Sequence, residues 1–143
     1  SLVTPHLVRA TPDGRRTVPP PKLLGISPET LAVVKDGMRA VVAEGTGWRA
    51  RLRRVEVCGK TGTAQVVSKA RLEQSPDDPS ILPHGWFVAF APADNPQIAL
   101  AVLVEHGGSS GVAAALARDI LVRFFARRGG EAPAEVPPAA VGD

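Results

Sequence analysis

A lysine, two threonines and two glycines occupy five consecutive positions, Gly59-Lys60-Thr61-Gly62-Thr63, preceded by Val57-Cys58 and followed by Ala64-Gln65. A cation and two short hydroxyls in a run with so little bulk can hold an anion, and phosphate is the first candidate because Gly59-Lys60-Thr61 matches the end of a phosphate-binding loop. The rest does not match. Such a loop needs Gly five positions before Gly59, where Arg54 stands, and must lead into a helix, whereas Val66-Val67 read as a continuing strand. A strand at a cleft edge that recognises a carboxylate-terminated peptide needs a fixed cation, hydroxyl donors and a Gly for close approach, and Lys60, Thr61, Gly62 and Thr63 supply them. A backbone N–H beyond Gly62 can also face an oxygen that turns negative during acyl transfer, where a preorganised donor is worth about 3 kcal/mol.

The surrounding sequence predicts the elements that hold this segment. Val55 and Val57 alternate against Glu56, so β-forming residues run from Val55 to Val67. Trp86 to Phe90 and Ile98 to Val104 are apolar runs joined by Pro92-Ala93-Asp94-Asn95-Pro96, a turn-forming link that makes them antiparallel neighbours. The three strands form a meander. Before them, Ser27-Pro28-Glu29 gives an N-cap, a proline at the first helical position and an acid in the first turn. Leu31, Val34, Met38, Val41 and Val42 follow on one stripe up to Gly45. Thr46-Gly47-Trp48-Arg49-Ala50 reads as a short turn with Trp48 as a packing anchor. Residues 68 to 84, rich in Pro and polar groups, read as a long surface loop. After Gly107-Gly108-Ser109-Ser110 a second helix carries Ala113, Leu116, Ala117, Ile120, Leu121 and Phe124 on one face, with Arg118 and Arg123 off it, and should cover the sheet. Residues 1 to 26 read as an extended connector and 129 to 143 as a disordered Ala/Pro-rich tail. The fold class is α+β, a three-strand antiparallel meander with covering helices, over domain bounds 1–128.

Composition narrows the function. With 143 residues, 44% of them hydrophobic, the chain suffices for one modest core. Its longest apolar runs fall far short of the ~20 residues of a membrane-spanning helix. Net charge is +3, and Arg49, Arg51, Arg53 and Arg54 form the densest basic cluster. Aromatics are only 4% of the chain and do not interleave with them, so a solvated surface is expected and no nucleic-acid partner. Cys58 is the single cysteine, which excludes an internal disulfide or a cysteine-based metal site. His6, His84 and His106 are too scattered for zinc-ligand spacing and read as structural or surface residues.

The Lys-Thr-Gly element also belongs to the serine acyltransferases that include penicillin-binding proteins and β-lactamases. In order and spacing, seven blocks, the Lys-Thr-Gly element among them, carry the likeness: Thr4-Pro5-His6-Leu7-Val8, Gly37-Met38, Gly45-Thr46-Gly47, Gly59 through Gln65, His84-Gly85-Trp86-Phe87-Val88, Phe90-Ala91-Pro92 and Val104-Glu105-His106-Gly107-Gly108. The chain thus resembles the C-terminal part of the transpeptidase domain of class B penicillin-binding proteins, and within them the elongation branch typified by penicillin-binding protein 2. The resemblance implies D,D-transpeptidation of peptidoglycan stem peptides during cell-wall elongation, with β-lactams as inhibitors and no cofactor or metal. It implies that Lys60 supports the electrostatics and proton relay of the site, that Thr61 and Thr63 bind the substrate carboxylate beside Gly62, and that the Thr63 N–H completes the oxyanion hole. It further implies an inner-membrane anchor, an extracytoplasmic location and pairing with a membrane glycan polymerase.

The same family uses Ser-x-x-Lys and Ser-x-Asn, and neither occurs in this sequence. The serines at 1, 27, 68, 75, 80, 109 and 110 are followed three positions later by Thr4, Thr30, Arg71, Asp78, Pro83, Val112 and Ala113. Ser1-Leu2-Val3 carries neither an initiator Met nor a signal-like start, so the nucleophile is expected upstream of residue 1, with the chain a fragment inactive alone. Ser109 and Ser110 are expected to start the last helix. Two other functions are open: a non-catalytic homologue that uses the strand to hold a peptide or partner, and a β-lactam-recognising hydrolase or sensor. Strict strand alternation sends Lys60 and Thr61 to opposite faces, so both can line one cleft only if the strand lies at a border or is twisted.

Overall fold

A computed structural model describes residues 12–14, 20–75 and 78–128. The chain divides into two units, Ser1–Ala32 and Val33–Asp143. In the first, residues 20–26 form no helix and contribute one isolated bridge residue, Lys22. The expected helix start follows. Ser27 Oγ accepts the Thr30 N–H at 3.2 Å, and helix α1 (Pro28–Ala43) begins with proline at its first position. Most of the expected connector, and the whole expected tail at 129–143, lie outside the described residues.

The second unit carries the sheet. A 3₁₀ turn (Trp48–Ala50) leads to strand β1 (Cys58–Ala64), helix α2 (Lys69–Gln74), a second 3₁₀ turn (Pro79–Ile81), strands β2 (His84–Ala91) and β3 (Ile98–Val104), and helix α3 (Ser110–Arg127). The strands form an antiparallel meander in the order β1-β2-β3, as their apolar runs predict. Lys60 pairs with Val88 and Thr61 with Phe87, while Phe87 pairs with Val102 on its other side.

This register sorts the side chains into two faces. Phe87, Ala89 and Ala91 are buried on one face, where Ile98, Leu100, Val102 and Val104 join them beneath α3. From α3 come Ala113, Ala114, Ala117 and Leu121, all fully buried. The small alanines let the helix approach closely, which is why the buried stripe is narrower than expected. Leu116 and Ile120, placed on that stripe by spacing, are instead exposed. The opposite sheet face presents Trp86, Val88 and Leu103, about 40% exposed each. No helix among the described residues is long and apolar enough to cross a membrane.

Four other local expectations change. Strand β1 is shorter than Val55 to Val67: it begins at Cys58 and ends at Ala64, and Val66 and Val67 lie in a bend. The supposed loop 68–84 contains α2 and a 3₁₀ turn, because Ser68 Oγ and Asp78 Oδ1 each accept a backbone N–H from the turn that follows, from Arg71 and Ser80. Trp48 is exposed with Arg49 stacked over it, and Ala50 is the buried anchor of its turn. Of the stripe on α1, Val42 is buried while Val34 is exposed.

Two devices seat β1. At Gly59 any side chain would overlap the Phe87 ring, so the strand backbone lies directly on the core. At the start of the strand, α1 is tied on by charge. Lys35 Nζ reaches Asp94 Oδ1 at 3.1 Å, and Arg39 reaches the same oxygen at 3.2 Å and Glu56 Oε2 at 3.4 Å. The Cys58 thiol donates to the Lys35 carbonyl at 3.7 Å. Arg51 donates to the carbonyls of Val42 and Ala43, so part of the expected solvated arginine cluster caps the C-terminal end of α1 instead.

Gly59→Ala is expected to destabilise the folded protein by about 1–3 kcal/mol through overpacking against Phe87, read as a lower denaturation midpoint at unchanged slope. A hydrogen bond from Lys35 holds the Asp94 carboxyl below its usual range. A depressed carboxylate pKa stabilises the fold above the unfolded value, about 3.9, and that contribution is lost as pH falls through the folded value. Carbon-13 titration of Asp94 should therefore give a midpoint below the unfolded one, and Lys35→Met should move it upward. An unchanged midpoint in Lys35→Met would show that the pair does not form.

Candidate active-site strand

Strand β1 is an edge strand among the described residues, flanked only by β2. That satisfies the border condition set by strand alternation. Thr61 pairs with Phe87 and Thr63 with Gly85, so both hydroxyls lie on the face covered by α3; Lys60 and Gly62 pair with Val88 and Trp86 and belong to the opposite face. At an edge, side chains of both faces can turn toward the same open border. The Lys60 ammonium donates to the Thr61 carbonyl at 2.6 Å.

The glycines keep this border thin. A Cβ at Gly62 would stand 3.3 Å from Trp86 Cβ, a tight contact that glycine avoids. Thr61 is half-buried and Thr63 and Lys60 are exposed, which leaves the cation and one hydroxyl open to a ligand. The second hydroxyl is already oriented: Thr61 Oγ1 lies 2.7 Å from Thr46 Oγ1 in a side chain to side chain hydrogen bond. In the sequence Thr46 belongs to a short turn, and no feature of its neighbours marks it as a partner of Thr61. The reason it arrives is structural. The Gly47 N–H donates to the Val41 carbonyl at 2.9 Å, folding the segment back from the end of α1 so that Gly47 packs on Phe87 directly beneath Thr61.

The end of the strand is closed by the connection between β3 and α3. Ala64 pairs with His84, and Gly85, opposite Thr63, lies beneath the Ser109 carbonyl, which a side chain at 85 would overlap. Ser109 occupies the N-cap position of α3, as expected, although its hydroxyl makes no capping bond. His84 and His106, treated as scattered, meet here with ring centroids 4.8 Å apart. One step past the Gly85–Val104 pair places Glu105, not His106, opposite His84, so it is the turn after β3 that brings the two rings together. Burial pushes the Cys58 thiol up, away from a reactive thiolate, so the cysteine acts as core. Among the described residues, the arrangement offers a ligand a strand edge with a cation, one open hydroxyl at Thr63 and a second hydroxyl, Thr61, oriented by Thr46.

Comparison with known proteins matches this geometry to one family. The model of the penicillin binding protein transpeptidase domain matches residues 1–122. The peptidoglycan D,D-transpeptidase MrdA of Acinetobacter baumannii is 39% identical over 128 residues, which covers 84% of this chain and 19% of that protein. Among solved structures, Pseudomonas aeruginosa PBP2 in complex with WCK 5153 superposes with TM-score 0.63 at 34% identity, over 89% of this chain and 27% of that one. A complex between PBP2 and MreC from Helicobacter pylori aligns with TM-score 0.59 at 27% identity, over 71% of this chain and 18% of that one. The chain thus spans about a fifth of the length of the curated relatives it matches.

The Thr46–Thr61 hydrogen bond is expected to contribute about 0.5–1.5 kcal/mol, because both hydroxyls retain access to water. A double-mutant cycle of Thr46→Val and Thr61→Val in denaturant should return a coupling in that range. Strictly additive effects would show that the pair does not form in solution.

Proposed function

Since the chain belongs to the penicillin-binding protein transpeptidase family, we propose that it supplies the substrate-holding wall of a peptidoglycan D,D-transpeptidase of cell-wall elongation. In this proposal residues 1–128 are the C-terminal part of the transpeptidase domain, and the serine nucleophile with its lysine base lies outside these 143 residues. The observation that carries the reading is the edge position of β1, with Lys60, Thr61 and Thr63 at one open border.

The chemistry follows from that border. A stem peptide ending in D-Ala-D-Ala lies along the edge as an added strand, its main chain matched by the free backbone of β1. Its carboxylate takes hydrogen bonds from the Thr61 and Thr63 hydroxyls, near the Lys60 charge. The serine oxygen attacks the penultimate D-Ala carbonyl and gives up its proton to its base. The carbonyl oxygen becomes negative and is met by the Thr63 N–H. D-Ala leaves as the free amino acid, and the amine of a second stem peptide displaces the serine to form the cross-link. A β-lactam enters the same way and remains attached through its opened ring. Penicillin-binding protein A of M. tuberculosis, solved as an imipenem acyl-enzyme complex, and H. pylori PBP2, solved in complex with MreC, support a β-lactam-responsive site and a place in a protein assembly. Membrane anchoring, an extracytoplasmic location and pairing with a glycan polymerase complete the proposal.

Labelling of the full-length protein with a fluorescent penicillin tests it. The expected result is a long-lived covalent adduct, formed at least about a hundredfold more slowly by Lys60→Met and about tenfold more slowly by Thr63→Ala. Absence of any adduct would instead support a binding homologue without catalysis. Rapid turnover of the antibiotic would support a hydrolase.

A further inference from the structure

The connection from β3 to α3 is held by a histidine pair. The His106 N–H donates to His84 Nδ1 at 3.0 Å, and His106 Nδ1 lies 3.1 Å from the Leu82 carbonyl. A carbonyl only accepts, so His106 carries a proton on Nδ1; His84 accepts on Nδ1, so its neutral ring carries the proton on Nε2. His106 has φ +52°, the left-handed region that side-chain-bearing residues seldom enter. The backbone turn at 106 is therefore one that needs holding, and the bond to His84 holds it. Beyond it the Gly108 N–H donates to the Pro83 carbonyl at 3.0 Å, and the Ser109 carbonyl comes down over Gly85, the partner of Thr63.

We propose that His84, as a hydrogen-bond acceptor, is a positioning residue that latches residues 105–109 over Gly85 and thereby sets Thr63 for the ligand carboxylate, and that protonation of His84 releases the latch. A protonated imidazole has no acceptor, so the His106 N–H would then face another N–H. The titratable groups around His84 are few among the described residues. The His106 ring packs edge-on against it; Asp78, before the 3₁₀ turn, interacts electrostatically with His106; Glu105 precedes His106 and is exposed. From β1 the facing residue is Ala64, which carries no charge. This inference rests on the assignment of β1 as the carboxylate-binding strand.

The test is the acylation rate of the full-length protein by a fluorescent penicillin between about pH 5 and 8, the range in which histidine switches. Wild type is compared with His84→Asn, whose Oδ1 replaces Nδ1 as an acceptor and does not titrate, and with His84→Phe, which has no acceptor. At neutral pH the Phe variant should acylate about ten- to a hundredfold more slowly, as displacement of a binding group by a fraction of an ångström to an ångström implies. The Asn variant should stay near wild type, and wild type should lose rate toward acid where the Asn variant does not. A Phe variant with wild-type rate, equal losses in Asn and Phe, or parallel acid profiles in wild type and Asn would each overturn the latch. If the Phe variant fails to fold, the comparison of wild type with Asn decides alone. If wild type forms no adduct at all, the transpeptidase reading fails on its own, and nitrogen-15 shifts of the His84 ring still judge the latch: an Nε2–H tautomer supports it and an Nδ1–H tautomer overturns it.

Discussion

Phe87 lies against the bare backbone of Gly59, and the placement of the candidate site depends on that contact. The ring is fully buried, its strand is the middle one of three, and α3 closes over it with alanines at 113, 114 and 117. Only a glycine can pass over the ring at position 59. Because β1 is clamped there, the next residue, Lys60, emerges on the open face and Thr61 on the covered one, both at the border of the sheet. Gly47 packs on the same ring and carries Thr46 to Thr61. The core thus sets the register of the chemistry: interiors are close-packed, so a change of one methyl group under Gly59 is felt at Lys60 and Thr61.

Charge acts at the other end of the strand as a tether whose strength differs in kind. In the Lys35, Arg39, Glu56 and Asp94 group the carboxylates are exposed and the cations half-buried, and pairs open to solvent on one side are individually weak and screened by salt. Its contribution is orientation. It brings α1 and the turn after β2, which contains the cis Ala91–Pro92 bond, to the point where β1 begins. Packing therefore places the strand, and the ion pairs fix which neighbours frame its entry.

Much of this was legible in the residues. The apolar run Ile98–Val104 is a strand with those bounds, and Ser27-Pro28-Glu29 opens a helix where its capping chemistry says it should. Legibility failed where burial depends on a partner. Leu116 and Ile120 share an apolar stripe with Ala117 and Leu121, yet the sheet accepts the alanine-lined side of the helix, since small residues permit close approach. Trp48 is the larger side chain, but the tight turn buries Ala50. Residues 68–84 read as a loop by composition, while Ser68 and Asp78 cap short helical turns within it. In the site, the Lys60 to Thr63 segment was legible because its chemistry is contiguous. The Thr46–Thr61 and His84–His106 pairs were not, since each joins residues that only the tertiary structure brings together.

The most direct test of the account is a crystal structure of the full-length protein acylated by a carboxylate-bearing β-lactam. The account predicts a serine adduct whose carboxylate lies about 2.6–3.0 Å from the Thr61 and Thr63 hydroxyls, with the acyl oxygen facing the Thr63 N–H. An adduct whose carboxylate is held elsewhere, with the edge of β1 empty, would contradict it.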